Sequence, residues 1–309
     1  MATAFITHSD CYRHEMGRGH PERPERLAAI EDQLVASGLE AHLQRHEAPL
    51  ATDEQLARVH PIEYVRAIRQ VAPQAGTVHL DPDTAMNPYS LDAALRATGA
   101  AVLATDLVMG GKSASAFCSV RPPGHHACRA RPMGFCIFNN VAVAARHAIH
   151  AHGAARVAIV DFDVHHGNGT EDIFAHDAQV LMVSIFQHPF YPYSGTENPA
   201  PNMVNVPLAA GAGSQQFRQA VTRHWLPALQ KFKPELVIVS AGFDAHAEDD
   251  MAMLRFADPD YAWVTAQVKQ ATDPHTRGRV VSALEGGYAL SALGRSVVQH
   301  IRVLAGLGG

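Results

Sequence analysis

Residues 157–170 read VAIVDFDVHHGNGT, an apolar run that breaks into two aspartates, two histidines and two glycines. The run shows no polar alternation, so it reads as a strand apolar on both faces. That is the pattern of a parallel sheet covered by helices on each side. Similar short runs rich in Val, Ile and Ala stand at 4–7, 114–120, 180–185, 236–240 and 280–284. Between them, stretches of helical period fall at 24–36, 61–71, 90–109, 139–152, 214–232, 259–271 and 291–304. Alternation of this kind predicts an α/β chain on a mostly parallel sheet flanked by helices. The 309 residues contain no linker, repeat or low-complexity stretch, so residues 1–309 read as a single domain.

The chemistry sits just beyond the runs. RPPGHH follows the second and carries His125 and His126; DFDVHHGNG carries Asp161, Asp163, His165, His166 and Asn168. Ser184 stands near the end of 180–185, AGFDAH carries Asp244, and EGGY carries Glu285 and Tyr288. Open α/β sheets bind ligands outside the carboxyl ends of their strands, so these residues are expected to form one site.

Asp163 and His165 are two apart, which on extended backbone points them to the same side. With Asp244 from another strand end they make three N/O ligands for a divalent ion, leaving a position open for water and substrate. Zinc fits such a site, and Fe2+ or Co2+ would fit it as well. Alone, an Asp–x–His pair reads more readily as a turn carboxylate beside a surface histidine. The paired histidines, the GFD segment and the glycine-rich tyrosine loop turn the reading toward metal. Hydrolysis there needs a base and then an acid, which His125 and His126 supply. Asp161 and Asn168 are the natural partners for their other ring nitrogens. Tyr288 can donate to a developing oxyanion.

Composition narrows the alternatives. Hydrophobic residues at 47% and charged residues at 18% describe a globular chain. A net charge of −5, only four lysines and no block of like charge argue against nucleic-acid or membrane-surface partners. No basic-then-apolar leader opens the sequence and no run is long enough to span a bilayer. Cys11, Cys118, Cys128 and Cys136 form no CxxC pair, which favours a reduced, cytoplasmic setting and core roles for the cysteines. No GxSxG elbow, Walker A loop or GxGxxG fingerprint is present, so activated water is preferred to a nucleophilic side chain.

RPPGHHA, GFCIFNN, DFDVHHGNGT, SAGFDAH and LEGGY, in this order and preceded by GHPERPERL, resemble the zinc-dependent histone deacetylase superfamily. Asn168 is similar to class II members and their bacterial relatives. The resemblance implies an arginase-like fold whose central sheet has about eight strands. It implies zinc on Asp163, His165 and Asp244, with His126 as general base and acid and His125 as its electrostatic partner. Asp161 and Asn168 then support the histidines, and Tyr288 polarises the acyl carbonyl. It further implies a structural potassium at Asp161, Asp163, His165, Ser184 and Ile185. The acyl-lysine tunnel falls to Gly134, Phe135, Tyr191, Met251 and Gly286.

The activity so implied is removal of acetyl or other acyl groups from lysine side chains of proteins or peptides. An acetylated polyamine or other small amide is the alternative substrate, and a non-catalytic acyl-ligand-binding protein is the remoter one. An arginase-like two-metal ureohydrolase is disfavoured because its additional Asp and His ligands are not evident. Glu248, Asp249 and Asp250 precede Met251 and bear on the choice: turned inward they would suit a polyamine, turned outward they are a solvated acidic loop. The oligomeric state stays open, a homo-oligomer included.

Overall fold

The computed structural model describes residues 2–308. Among them, ten strands occur in the order β1 (Thr3–Thr7), β2 (Leu43–Glu47), β3 (Val78–His79), β4 (Ala85–Met86), β5 (Ser115–Cys118), β6 (Val157–Asp161), β7 (Val180–Gln187), β8 (Met203–Leu208), β9 (Leu236–Ala241) and β10 (Val280–Leu284). Eight of these form one parallel sheet in the order β2-β1-β5-β10-β9-β6-β7-β8, and β3 pairs with β4 in a small antiparallel hairpin. Helices flank the sheet, which is the predicted α/β architecture. Ser90–Met109 packs with Asn140–His152, while Leu290–Leu304 packs between Glu25–Ala36 and Asp258–Thr276.

The six internal strands are the six apolar runs of the sequence. Every residue of β5, β6, β7, β9 and β10 is buried, because helices cover both faces. The two edge strands escaped the sequence reading. β2 is LQRHE, with most side chains exposed or half-buried, and β8 is MVNVPL, with Pro207 tolerated on a sheet edge. The helix expected over 214–232 is helical throughout but changes winding. A π turn at Val221–Trp225 separates Ser214–Ala220 from Leu226–Phe232, just ahead of Pro227, which has no N–H to give.

Part of the histidine excess serves packing. His14 bonds Ser90 (2.7 Å), His60 accepts from the amide of Asn139 (3.0 Å), and His300 bridges Thr265 (2.6 Å) and Ser282 (2.8 Å). The four cysteines are free and buried. No helix among the described residues is long and apolar enough to cross a membrane.

Candidate active site

The registers Asp161↔Ser240, Asp161↔Ser184 and Ala283↔Ser240 bring the carboxyl ends of β6, β7, β9 and β10 to one edge of the sheet. Asp163 and His165 leave β6, Asp244 leaves β9, and Gly286 leaves β10, the three central neighbours. Their ligand atoms meet: one from each of Asp163, His165 and Asp244 lies within 4.8 Å of the others. His165 Nδ1 lies 2.9 Å from Asp163 Oδ1 and 3.3 Å from Asp244 Oδ2.

Backbone amides hold the two carboxylates. Asp163 Oδ1 accepts from the His165 N–H (2.9 Å), Asp163 Oδ2 from Gly286 (2.8 Å), and Asp244 Oδ1 from Val164 (2.9 Å). Asp244 Oδ2 is buried without a hydrogen-bond partner, an arrangement that is costly unless something else takes its lone pairs. Burial and the like charge of Asp163 push the Asp244 carboxyl up to about 6. An orphaned carboxylate oxygen facing a second carboxylate and an imidazole is the donor set a divalent cation satisfies. The residues therefore fit a metal.

Gly286 has to be glycine for this packing. A Cβ there would collide with Asp244 Oδ2 and stand 2.6 Å from Asp163 Oδ2. Gly286→Ala is accordingly expected to displace both carboxylates, lowering metal content below one ion per chain and amide hydrolysis by about 10²-fold. Metal analysis after dialysis, run beside an activity assay, checks it. An alanine variant with full metal and full turnover would show that the carboxylates need no such fit.

The two histidines are separated by their partners. The Nδ1–H of His125 donates to Asp161 Oδ2 (2.9 Å), and His125 Nε2 lies 3.8 Å from Asp163 Oδ1. Burial opposes the charged ring, yet Asp161, Asp163 and Glu285 outweigh it and hold His125 well above the ordinary histidine range. His126 Nδ1 lies 2.7 Å from Asn168 Oδ1. The amide nitrogen of Asn168 faces two sulfurs, Cys128 (3.5 Å) and Met133 (3.3 Å), so its oxygen is the atom toward His126 and accepts the Nδ1–H. That leaves Nε2 of His126 as an acceptor. Burial and the neighbouring His125 and His165 push His126 well below the ordinary range.

These side chains open on a cavity of about 210 Å3 lined by His125, His126, His165, Phe135, Tyr191 and Tyr288, with Gly134, Met251 and Gly286 also in the wall. The Phe135 and Tyr288 rings meet edge-on at 6.1 Å, and Tyr191 stands edge-on to His126 at 5.3 Å. Gly134, at φ +58°, adopts a left-handed conformation where a side chain would run into the His126 ring. Burial and Asp244 push the Tyr288 phenol well above the usual tyrosine range, so it stays a donor. Every tunnel residue named from the sequence lines this cavity.

Asp83, Phe190 and the long reach of Arg26 escaped the sequence. Asp83 lines the cavity and accepts the Gly134 N–H (2.9 Å), and Phe190 stacks on His165 at 5.5 Å; a DPDT turn was the only signal for the first. Arg26, fully buried, donates to the carbonyls of Glu285 and Gly287 (2.6 Å for the latter), and shares Glu22 with Arg121. GHPERPERL contained both Glu22 and Arg26, but local spacing says nothing of their reach to EGGY. Glu285, which the sequence offers as structural support, accepts from the amides of Gly124 (2.7 Å) and His125 (3.1 Å) and so braces the histidine turn. Glu248 and Asp249 do not point into the cavity. Glu248 pairs with Arg295 (2.7 Å) on the surface and Asp249 takes backbone amides. Asp250 is exposed.

Ser184 and Ile185 are buried beside Asp161. The Ser184 hydroxyl donates to Asn205 (3.1 Å) and its carbonyl accepts the Trp225 indole N–H (3.3 Å). A second cluster, Asp106, His147 and His152, lies on the helices. There Arg58 donates to His147 Nδ1 (2.6 Å), so the opposite ring N–H donates to Asp106 (2.7 Å), a hydrogen-bonded group rather than a ligand set.

Residues 20–304 match the histone deacetylase domain. The chain belongs to the histone deacetylase family. Within that family it is 41% identical over 278 residues to the histone deacetylase-like amidohydrolase of Pseudomonas aeruginosa, covering 88% of this chain and 73% of the relative. It is 36% identical to the human polyamine deacetylase HDAC10, with 99% of this chain covering 48% of that protein. The crystal structure of the HDA15 HD domain superposes with a TM-score of 0.92 at 34% identity, covering 99% of this chain and 90% of that one. The fold is that of the family, and the family is one of amidohydrolases and deacetylases.

Proposed function

We propose that this chain is a zinc-dependent deacetylase, working as one catalytic domain over residues 1–309, that removes acetyl groups from lysine side chains of peptides or proteins. The observation that carries the reading is the meeting of Asp163, His165 and Asp244 with the His126–Asn168 pair and Tyr288 around one aromatic-walled cavity. Asp163, His165 and Asp244 would hold Zn2+, with Fe2+ or Co2+ as alternatives. When bound, that ion supplies a Lewis acid for the acyl carbonyl and makes water more acidic.

The chain's own residues do the rest. Phe135, Phe190 and Tyr191 sheath the acyl-lysine stem and exclude water. Nε2 of His126 takes the proton of the attacking water and returns it to the departing amine. His125, tied to Asp161, stabilises charge beside it. The Tyr288 phenol donates to the carbonyl oxygen as negative charge develops there. Asp161, Asp163, His165, Ser184 and Ile185 form the proposed potassium site, which would neutralise charge behind the centre.

For substrate, the outward pairing of Glu248 and the backbone duty of Asp249 leave the rim with the apolar Met251. That favours a peptide-borne acyl-lysine over a molecule with a second ammonium group. Asp83, an acidic side chain in the cavity wall, supports the second reading, an acetylated polyamine. The test is kcat/KM for an acetyl-lysine peptide against an N-acetylated diamine on one zinc-loaded preparation, with a chelator-treated blank. The peptide is expected to be preferred by about tenfold or more. Reversal transfers the assignment to polyamines, and turnover that survives chelation removes the metal from the proposal.

A further inference from the structure

Two consecutive glycines precede Tyr288, and Gly287 stands at φ +122°, so the turn that presents the phenol has little stiffness of its own. It is held from outside. On one side Arg26 takes the carbonyls of Glu285 and Gly287. On the other, Asp249 Oδ2 accepts the N–H of Tyr288 (2.6 Å) and of Ala289 (2.9 Å). Asp249 Oδ1 accepts the N–H of Met251 (3.0 Å), the rim residue of the same cavity. Asp249 is 5% exposed, and its own N–H donates to the His246 carbonyl (2.9 Å), which holds the backbone that carries the carboxylate. Ala289 also starts helix Leu290–Leu304 without a side-chain cap of its own. Charge-assisted bonds to backbone amides are short and strong, and here they are buried.

We infer that Asp249 is a positioning residue for catalysis: one carboxylate fixes the backbone under Tyr288 with one oxygen and ties the cavity rim to it with the other. This rests on the reading of Tyr288 as the oxyanion donor. It moves Asp249 from the acidic-rim role the sequence allowed to a role in turnover rather than substrate charge.

The experiment uses zinc-loaded protein and four variants: Asp249→Ala, Asp249→Asn, Tyr288→Phe and the double variant Asp249→Ala/Tyr288→Phe. Asp249→Ala is expected to lower kcat by about tenfold while KM for the peptide changes by less than about threefold. Asp249→Asn keeps an oxygen for Tyr288 and Ala289 and gives up only the Met251 bond. Its kcat should return to within about threefold of wild type. In the Tyr288→Phe background, Asp249→Ala should cost less than about threefold, because the group it positions is gone. A full repeat of the loss in that background, or an asparagine variant no better than alanine, overturns the inference.

Tyrosine ring-labelled with carbon-13 separates this from the proposed activity, since it needs no turnover. The Tyr288 signal, identified by its loss in Tyr288→Phe, should shift or broaden in Asp249→Ala and keep its place in Asp249→Asn. An unmoved signal in the alanine variant overturns the positioning role even where the enzyme is active. A moved signal in a protein without amidase activity upholds the positioning and rejects the activity. If the alanine variant does not melt cooperatively, Asp249→Ser, too short to span to Tyr288, takes its place in both measurements.

Discussion

Replacing Asp244 by alanine is expected to give a folded chain that retains no stoichiometric divalent ion and hydrolyses no amide above a chelator-treated blank. Asp244 arrives from β9 while Asp163 and His165 arrive from β6, so it is the one proposed ligand that closes the site from a second strand. Its Oδ2 has no hydrogen-bond partner in the protein, only the approach of His165 Nδ1 at 3.3 Å. Its Oδ1 does hold the Val164 amide, so Asp244→Asn is the companion variant: it keeps that bond and removes the charge. Both should lose the ion, since a three-residue site stripped of one carboxylate no longer neutralises a double charge. Metal analysis after exhaustive dialysis, beside a thermal melt, decides it. Stoichiometric zinc in either variant would sink this ligand set.

The second large effect is expected at His126. His126→Ala should lower kcat by about 10²-fold or more, within the range for loss of a general acid–base group, while zinc content stays at wild type. Geometry carries this expectation. Asn168 turns its oxygen to His126 because its amide nitrogen is spent on Cys128 and Met133, so the Nδ1 proton is committed and Nε2 is free to accept. The adjacent His125 is committed at Nδ1 to Asp161, and Glu285 pins its backbone through the Gly124 and His125 amides. His125 therefore cannot rotate into the vacated place, and a neighbouring imidazole does not rescue the variant. Turnover within tenfold of wild type would reassign the base, and loss of zinc would place His126 among the groups that support the metal.

The centre of the molecule was legible because its physics is local. A strand buried on both faces is apolar over most of its length, and that shows in four consecutive letters such as VAIV. The residues that follow each strand emerge at the same sheet edge in any parallel arrangement, so Asp163, His165, Asp244 and Tyr288 group together on the sequence alone. β2 and β8 were not legible, since an edge strand with a solvated face carries no such mark: Arg45 and Glu47 point outward, and Pro207 looks like a breaker. The small hairpin of β3 and β4, two residues each, is below what periodicity can register.

Side-chain direction divides the rest. Asp249 sits in a run of three acids that the sequence presents as equivalent, yet Glu248 pairs with Arg295 outside, Asp249 clamps the Tyr288 turn inside, and Asp250 is exposed. Arg26 is 261 residues from the Gly287 carbonyl it holds, and Asp83 is 51 from the Gly134 amide. The sequence by itself determined the α/β class and the strand ends at which polar residues gather, because these follow from composition and from the pattern within each short segment. Only the tertiary structure decided which acids face the cavity and which buried charges brace it. Those depend on where a side chain finds its partner, and a buried carboxylate or guanidinium goes to whichever backbone groups the fold has left unpaired.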